Sequence, residues 1–259
     1  MRTLYVDSRS GVGTASNFTI DLNRTLHIPE GGKFRVDNLR IPLTFNTVNV
    51  NNCHLYYVDN GLFYQAVIAR GIYASVTLAI AIQAAFAATG APSHVTVFFD
   101  ASNGNTTFSV NQVGSWVLLS DASVADFPTY YPGVDVKNPQ SFNSVLGFPS
   151  SGVTHVGSVY TFPCISVLAY DELYLCSSKL SSQTVQSPWG GSSVICVAVV
   201  IGVFGDILKT ETPLMFWNDI GPISMKQIDF QLTDRFGNPV NVLAGNISFQ
   251  LTVDTLSHD

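Results

Sequence analysis

The chain has 259 residues, of which 46% are hydrophobic and 12% aromatic, and this excludes disorder over most of its length. Only 12% of its residues are charged, about half the ~25% of an ordinary soluble domain, and mean hydropathy is +0.26, so too few charges remain to coat a free monomer. The net charge of −6 and pI near 5.2 exclude a general nucleic-acid-binding surface, which needs clustered Lys and Arg, and leave room only for a local basic spot.

A membrane span would account for the same composition, but it needs about 20 apolar residues in a row. The longest candidate, Val194 to Phe204, is too short, so no transmembrane segment is expected and burial against neighbouring subunits is the better explanation. The N-terminal Met-Arg-Thr-Leu-Tyr-Val-Asp has no apolar signal stretch, which leads to an expectation of synthesis in a cytosol-like compartment. In that setting the Asn-x-Ser/Thr matches at Asn17, Asn23, Asn105 and Asn246 read as chance.

Short alternating segments open the chain. Thr3 to Asp7, Phe18 to Leu22 and Lys33 to Leu39 read as strands separated by Gly, Ser and Asn. His54 to Val58 and Leu62 to Ile68 read as a hairpin, because Asp59-Asn60-Gly61 supplies the positive-φ residues that a tight turn requires. One helix is expected next, N-capped by Ser75 and ended at Gly90, with Leu78, Ile82 and Phe86 as its apolar stripe and a largely Ala surface around it. His94 to Asp100 and Thr106 to Val110, joined by residues 101–105, form hairpin material, and Ser115 to Leu119 follows. Residues 121–157 are rich in Pro, Ser, Tyr and Asn and read as a long ordered loop with one helical turn over Phe142 to Phe148.

Strands then return at Ser158 to Phe162, Ile165 to Cys176, Val194 to Phe204, Leu214 to Trp217, Ile223 to Thr233 and Ile247 to Val253. Ile228, Phe230 and Leu232 alternate with Asp229, Gln231 and Thr233, and Phe249, Leu251 and Val253 alternate likewise, so each strand has one buried and one wet face. Asp234 to Pro239 is a turn cluster. Many strands, one helix and long connections fit two sheets packed face to face, an all-β sandwich of jelly-roll type, although periodicity does not separate a jelly roll from other sandwiches.

Catalytic signatures are missing. No P-loop, dinucleotide-binding, nucleophile-elbow or H-E-x-x-H pattern occurs. His27, His54, His94, His155 and His258 are scattered singly, and Glu30, Glu172 and Glu211 are the only glutamates. The adjacent Asp171 and Glu172 lie in a strand-like segment and point to opposite faces, so they do not act on one atom. Asp206 reads as the charge that marks where a buried strand emerges, and Asp7-Ser8-Arg9-Ser10-Gly11 as a turn held by a local Asp or Arg bond. Cys53, Cys164, Cys176 and Cys196 form no C-x-x-C pair and read as buried thiols. No catalytic, cofactor-binding or metal-ligating residue is assigned, and neither enzyme activity nor a cofactor is expected.

Three blocks carry a family resemblance. Leu4 to Arg9 with Gly13 to Leu22, then Gly71-Ile72-Tyr73 with Leu146-Gly147-Phe148, then Val200 to Leu208 with Ile228 to Asn238, Gly245 and Ser248 to Thr252, together resemble the penton and minor capsid proteins of virophages, Polinton-like viruses and related large double-stranded DNA viruses. The resemblance implies a single jelly roll built from residues 1–60 and 156–259, with an inserted helix-plus-strands region at 61–155. It also implies a homopentamer at the five-fold vertices of an icosahedral capsid, in the virion, beside a major capsid protein and other minor capsid proteins. The alternative is a carbohydrate- or receptor-binding β-sandwich, for which Tyr130, Tyr131 and Trp189 would supply the aromatic platform. A hydrolase on the same fold is a distant third.

Overall fold

The computed structural model describes residues 1–111, 115–125, 141–146, 155–156, 158–162, 169–181, 193–210 and 217–254. In chain order the first elements are β1 (Arg2–Asp7), β2 (Val12–Thr14), β3 (Asn17–Ile28), β4 (Lys33–Pro42), β5 (His54–Asp59), β6 (Leu62–Val67), α1 (Ser75–Ala87), β7 (His94–Asp100), β8 (Asn105–Asn111), β9 (Trp116–Leu118) and the short α2 (Asp121–Ala125). They are followed by β10 (His155–Val156), β11 (Val159–Phe162), β12 (Glu172–Cys176), β13 (Val194–Val199), β14 (Ile207–Thr210), β15 (Asn218–Asp219), β16 (Ile223–Thr233) and β17 (Ser248–Asp254). The chain divides into one unit of Met1–Phe45 with Tyr170–Asp259 and a second of Asn46–Ala169. These limits fall at 45 and 170 rather than near 60 and 156, because His54–Asp59 pairs with Leu62–Val67 and Trp116–Leu118 within the second unit.

In the first unit the sheet orders are β1-β17-β4-β14, with β15 also on β4, and β13-β12-β16-β3-β2. Eight of these strands are the ribs of a rolled ribbon. Counted along the chain, the first pairs with the eighth (β1 with β17), the second with the seventh (β3 with β16), the third with the sixth (β4 with β14) and the fourth with the fifth (β12 with β13), all antiparallel. The roll closes through β17 on β4 and β12 on β16. This connectivity is a jelly roll, and it chooses among the sandwiches that periodicity left open. The second unit is inserted in the connection between its third and fourth ribs, β4 and β12.

Alternation along the ribs supplies the core. Phe34, Val36, Ile41, Ile228, Phe230, Leu232, Leu251 and Val253 are buried, while Asp229 and Gln231 face outward to varying degrees; Thr233, expected on the wet face, is buried with its hydroxyl donating to the Tyr174 carbonyl at 3.5 Å. Phe230 of β16 meets Phe249 of β17 edge-to-face at 5.0 Å and Phe18 of β3 at 5.5 Å, so three rings bridge the two sheets. The turn after β16 is organised by Asp234, whose carboxylate accepts from Phe236 N–H at 2.8 Å, Asn238 N–H at 2.9 Å and the Asn238 side-chain amide at 3.1 Å, with Gly237 at φ 83°.

The second unit holds its own aromatic core. The turn between β5 and β6 has Asn60 at φ 51° and Gly61 at φ 80°, the type I′ geometry that Asp59-Asn60-Gly61 predicts. β9 adds to β5 and β10 to β9, and a separate sheet runs β11-β8-β7. Tyr57, Phe86 and Trp116 pack with centroids 5.2 Å (Tyr57 to Phe86) and 5.4 Å (Tyr57 to Trp116) apart, and Leu78, Ile82 and Phe86 of α1 are buried against them in one cluster, as the stripe predicts.

Three further expectations need correction. The N-cap of α1 is Ala74, not Ser75, because the Thr77 hydroxyl accepts from Ala74 N–H at 3.0 Å and so does the capping from inside the first turn. The strand expected over Val194 to Phe204 stops at Val199, since Gly202 at φ 136° and Gly205 at φ 94° turn the chain. Gly202 at this φ is in a conformation that L side chains rarely adopt, and a Cβ there would also lie 2.8 Å from an Asp206 carboxylate oxygen, so a substitution is strained. Residues 121–125, expected as loop, are helical. The expected strand at Leu214 to Trp217 and the first part of Ile165 to Cys176 lie largely outside the described residues.

Phe230→Ala removes the ring shared by both sheets and is expected to lower unfolding free energy by about 3–5 kcal/mol, whereas Phe236→Ala, on a ring 45% exposed, changes it by about 0.5 kcal/mol or less. Urea denaturation of the two variants checks this, and equal losses would contradict the assigned core.

Candidate assembly surface

The residues that sequence chemistry singled out are dispersed among turns and ribs. Asp7 and Arg9 form a two-residue clamp, with Arg9 Nε donating to Asp7 at 3.0 Å and the Arg9 backbone N–H donating to Asp7 Oδ1 at 2.9 Å, over the 3-10 turn Ser8–Ser10. The Arg9 hydrogen bond holds the Asp7 carboxyl below its ordinary range. Asp206 accepts from Val203 N–H at 2.9 Å and closes the turn that follows β13. Asp171 is exposed, and Glu172 accepts from Tyr174 Oη at 2.5 Å, so the two adjacent acids are not a pair. His27 Nδ1 lies 2.7 Å from Ser224 Oγ, His54 is lowered in pKa by burial and by Arg70, and His94 is exposed. His155 occupies a strand position in β10, and His258 lies outside the described residues.

Among the described residues, no three His, Cys, Asp or Glu side chains converge on a metal-sized site. Cys53 and Cys176 are buried thiols, and burial pushes the Cys176 thiol up in pKa. Cys164, Tyr130, Tyr131 and Trp189 lie outside the described residues, as does Glu211. No helix among the described residues is long and apolar enough to cross a membrane.

What the first unit does build is an apolar flank. Both sheet orders end on the same side, sheet one with β14 and sheet two with β13, and the two strands line one concavity of about 480 Å³ walled by Val197, Val199, Ile201, Ile207 and Leu208, with Lys209 at its margin. Val199 is 56% exposed and Ile201 75%, and Val203, Phe204 and Ile207 are also exposed. At these exposures the four aliphatic side chains and one ring, with the partly exposed Val197, leave about 400 Å² of apolar surface in water, within the ~300–600 Å² of a typical monomer's largest patch and about half of what one partner brings to a stable interface. No described strand pairs with the outer edge of β13, and residues 180–205 contain no charged residue. Natural proteins blunt such edges with Lys, Pro or inward charges, and β13 carries none of these.

The second unit repeats the theme on a helix. Asp59, Arg70, Asp100, Asp121, Asp126, Asp135 and Lys137 are the only charged residues between 46 and 169, and Asp59 is fully buried, where Ser93 N–H and Oγ donate to its carboxylate at 2.7 and 2.8 Å. The outward side of α1 exposes Val76, Ile80 and Ala84 at i, i+4 and i+8. Charge depletion is thus concentrated in particular stretches. The signal that would have located them is the position of charge-free runs along the sequence, rather than the overall charged fraction.

No family model matches the chain, and no curated protein matches it. Among solved structures, it is similar to the mavirus penton protein, at 11% identity over 97% of this chain and 97% of that one with a TM-score of 0.47. It is also similar to a chain in the structure of the Sputnik virophage, at 12% identity over 98% and 97% of the two chains with a TM-score of 0.43.

Burial raises four phenols, Tyr56, Tyr57, Tyr170 and Tyr174, and their titration shapes stability at alkaline pH. Tyr57 is pushed up to about 12, first by burial in the second unit's core, and Tyr174 is pushed up to about 12, first by burial and then by Glu172. Both are protonated in the folded chain where the unfolded chain, with tyrosines near 10, begins to ionise. Their stabilisation is therefore complete below pH ~10 and is lost as pH rises through ~12. The urea midpoint is expected to fall between those values and to fall less in Tyr57→Phe. An equally steep fall in the variant would contradict the assignment.

Proposed function

We propose that the chain is a structural subunit of a viral capsid, a penton or minor capsid protein that assembles with copies of itself into pentameric vertices of an icosahedral shell beside a major capsid protein. The observation that carries this reading is the exposed apolar side chains of the β13/β14 flank, whose β13 edge carries no Lys, Pro or inward charge, although Lys209 of β14 is exposed beside them. The fold by itself would not suffice, since jelly rolls serve many functions. The three sequence blocks that resemble penton proteins, described above, add to it. On this reading the chain has no catalytic step and its place is the virion.

The mechanism is apolar burial between wedges. About 400 Å² at ~25 cal/mol per Å² returns about 10 kcal/mol, which is comparable to the ~4–15 kcal/mol lost in translational and rotational freedom on association. A single contact therefore sits close to balance. Closing a ring gives each subunit two such contacts, and the last closure is intramolecular, so a cyclic assembly is favoured over isolated pairs.

Light scattering on the purified chain is expected to give five times the 28.0 kDa chain mass. A compact monomer at high concentration would overturn the reading, and more so if the monomer binds glycans on an array, since that result would favour the carbohydrate-binding alternative.

A further inference from the structure

A ring needs two different surfaces on every subunit, because its interfaces are head-to-tail. The first unit offers them at opposite ends of both sheets. Sheet one runs from β14 to β1 and sheet two from β13 to β2, so β13 and β14 form one flank and β1 and β2 the other. The second flank meets water through two large apolar side chains set among the exposed Arg2, Thr3 and Thr14. Tyr5 is 79% exposed and Val12 76%, although Leu4 and Val6 beside Tyr5 turn inward to a greater or lesser degree. Tyr5 is the outermost aromatic of β1, a strand whose free side no described strand covers.

Resting on the self-assembly reading above, we infer that the β13/β14 flank of one copy receives the β1/β2 flank of the next, with Tyr5 entering the concavity lined by Val197, Val199, Ile201 and Ile207. Three observations converge on this pairing. The concavity of about 480 Å³ has five aliphatic residues, Val197, Val199, Ile201, Ile207 and Leu208, together with Lys209 and Thr210, and this combination of an apolar wall with polar groups suits an aromatic ring that carries a hydroxyl. Tyrosine is among the side chains that anchor interfaces, since its ring fills an apolar pocket while its hydroxyl stays at a wet rim. Finally, the first flank alone supplies about half the area a stable partner brings, and the β1/β2 edge is the other end of the same sandwich, where Tyr5 and Val12 stand exposed.

A self-complementary contact of β13 with its own copy is the competing arrangement, and it would end at dimers. Mixing separates the two. Val199→Asp spoils only the first flank and Tyr5→Asp only the second, and both positions are exposed enough for the folded chain to keep its circular dichroism and melting temperature. Each variant alone is expected to be monomeric, with association weakened more than tenfold, and an equimolar mixture at high concentration is expected to show a weak one-to-one pairing through the single pair of intact flanks that neither variant shows alone. In the double variant Tyr5→Cys with Val199→Cys, oxidation is expected to link neighbouring copies into a covalent ladder. If the wild type assembles but Tyr5→Asp assembles equally well, or the mixture stays monomeric, the pairing is wrong while self-assembly stands. If the wild type itself is monomeric, the underlying reading fails first.

Discussion

A rolled antiparallel ribbon buries one face of each sheet against the other, but it cannot close its sides. In this chain the roll leaves β13 and β14 at one side and β1 and β2 at the other, and those edges must either be protected or be used. The choice is written in the side chains. Where charge would keep neighbours away, residues 180–205 have none, and the chain places valines and isoleucines on the outer surface. The core made by Phe18, Phe230 and Phe249 is satisfied within one copy, whereas the valines and isoleucines of the β13/β14 flank stay exposed.

The insertion follows the same logic by a different route. It enters between the third and fourth ribs, after β4 and before β12, where a long excursion leaves the ribbon's pairing intact, and it brings its own core around Tyr57, Phe86 and Trp116. With so rich an interior, its near absence of surface charge is not needed for folding. Its neutral exterior, with Val76 and Ile80 outward on α1, is therefore a property of its surface with its own consequences for what can lie against it.

Much of the fold was legible because alternating strands announce themselves. Ile228, Phe230 and Leu232, and later Phe249, Leu251 and Val253, are buried in the order the pattern predicts, and Asn60-Gly61 turns where a type I′ turn is required. What stayed hidden depends on tertiary partners. Strand order is not local, so nothing in β4 announces that β17 and β14 will flank it. The run from Val194 to Phe204 is uniformly apolar and has no period to mark an end. Its end is set by the backbone at Gly202 and by the Asp206 carboxylate on Val203 N–H, which were visible as a glycine and an acid but not as a turn. The Thr77 cap was missed because a hydroxyl in the first turn did the work usually done one position before the helix. The overall scarcity of charge pointed to assembly, whereas its distribution, which points to particular surfaces, required the sheet orders.

The central claim is that association is driven by apolar burial on the flanks rather than by charge. Sedimentation of the assembled chain across a salt series tests it directly. Between about 50 mM and about 1 M sodium chloride the assembly should hold or tighten, because the contact is carried by apolar side chains rather than by the few charges beside them, Arg2, Arg9 and Lys209. Dissociation into monomers as salt rises would show that ion pairs hold the subunits together and would contradict the account.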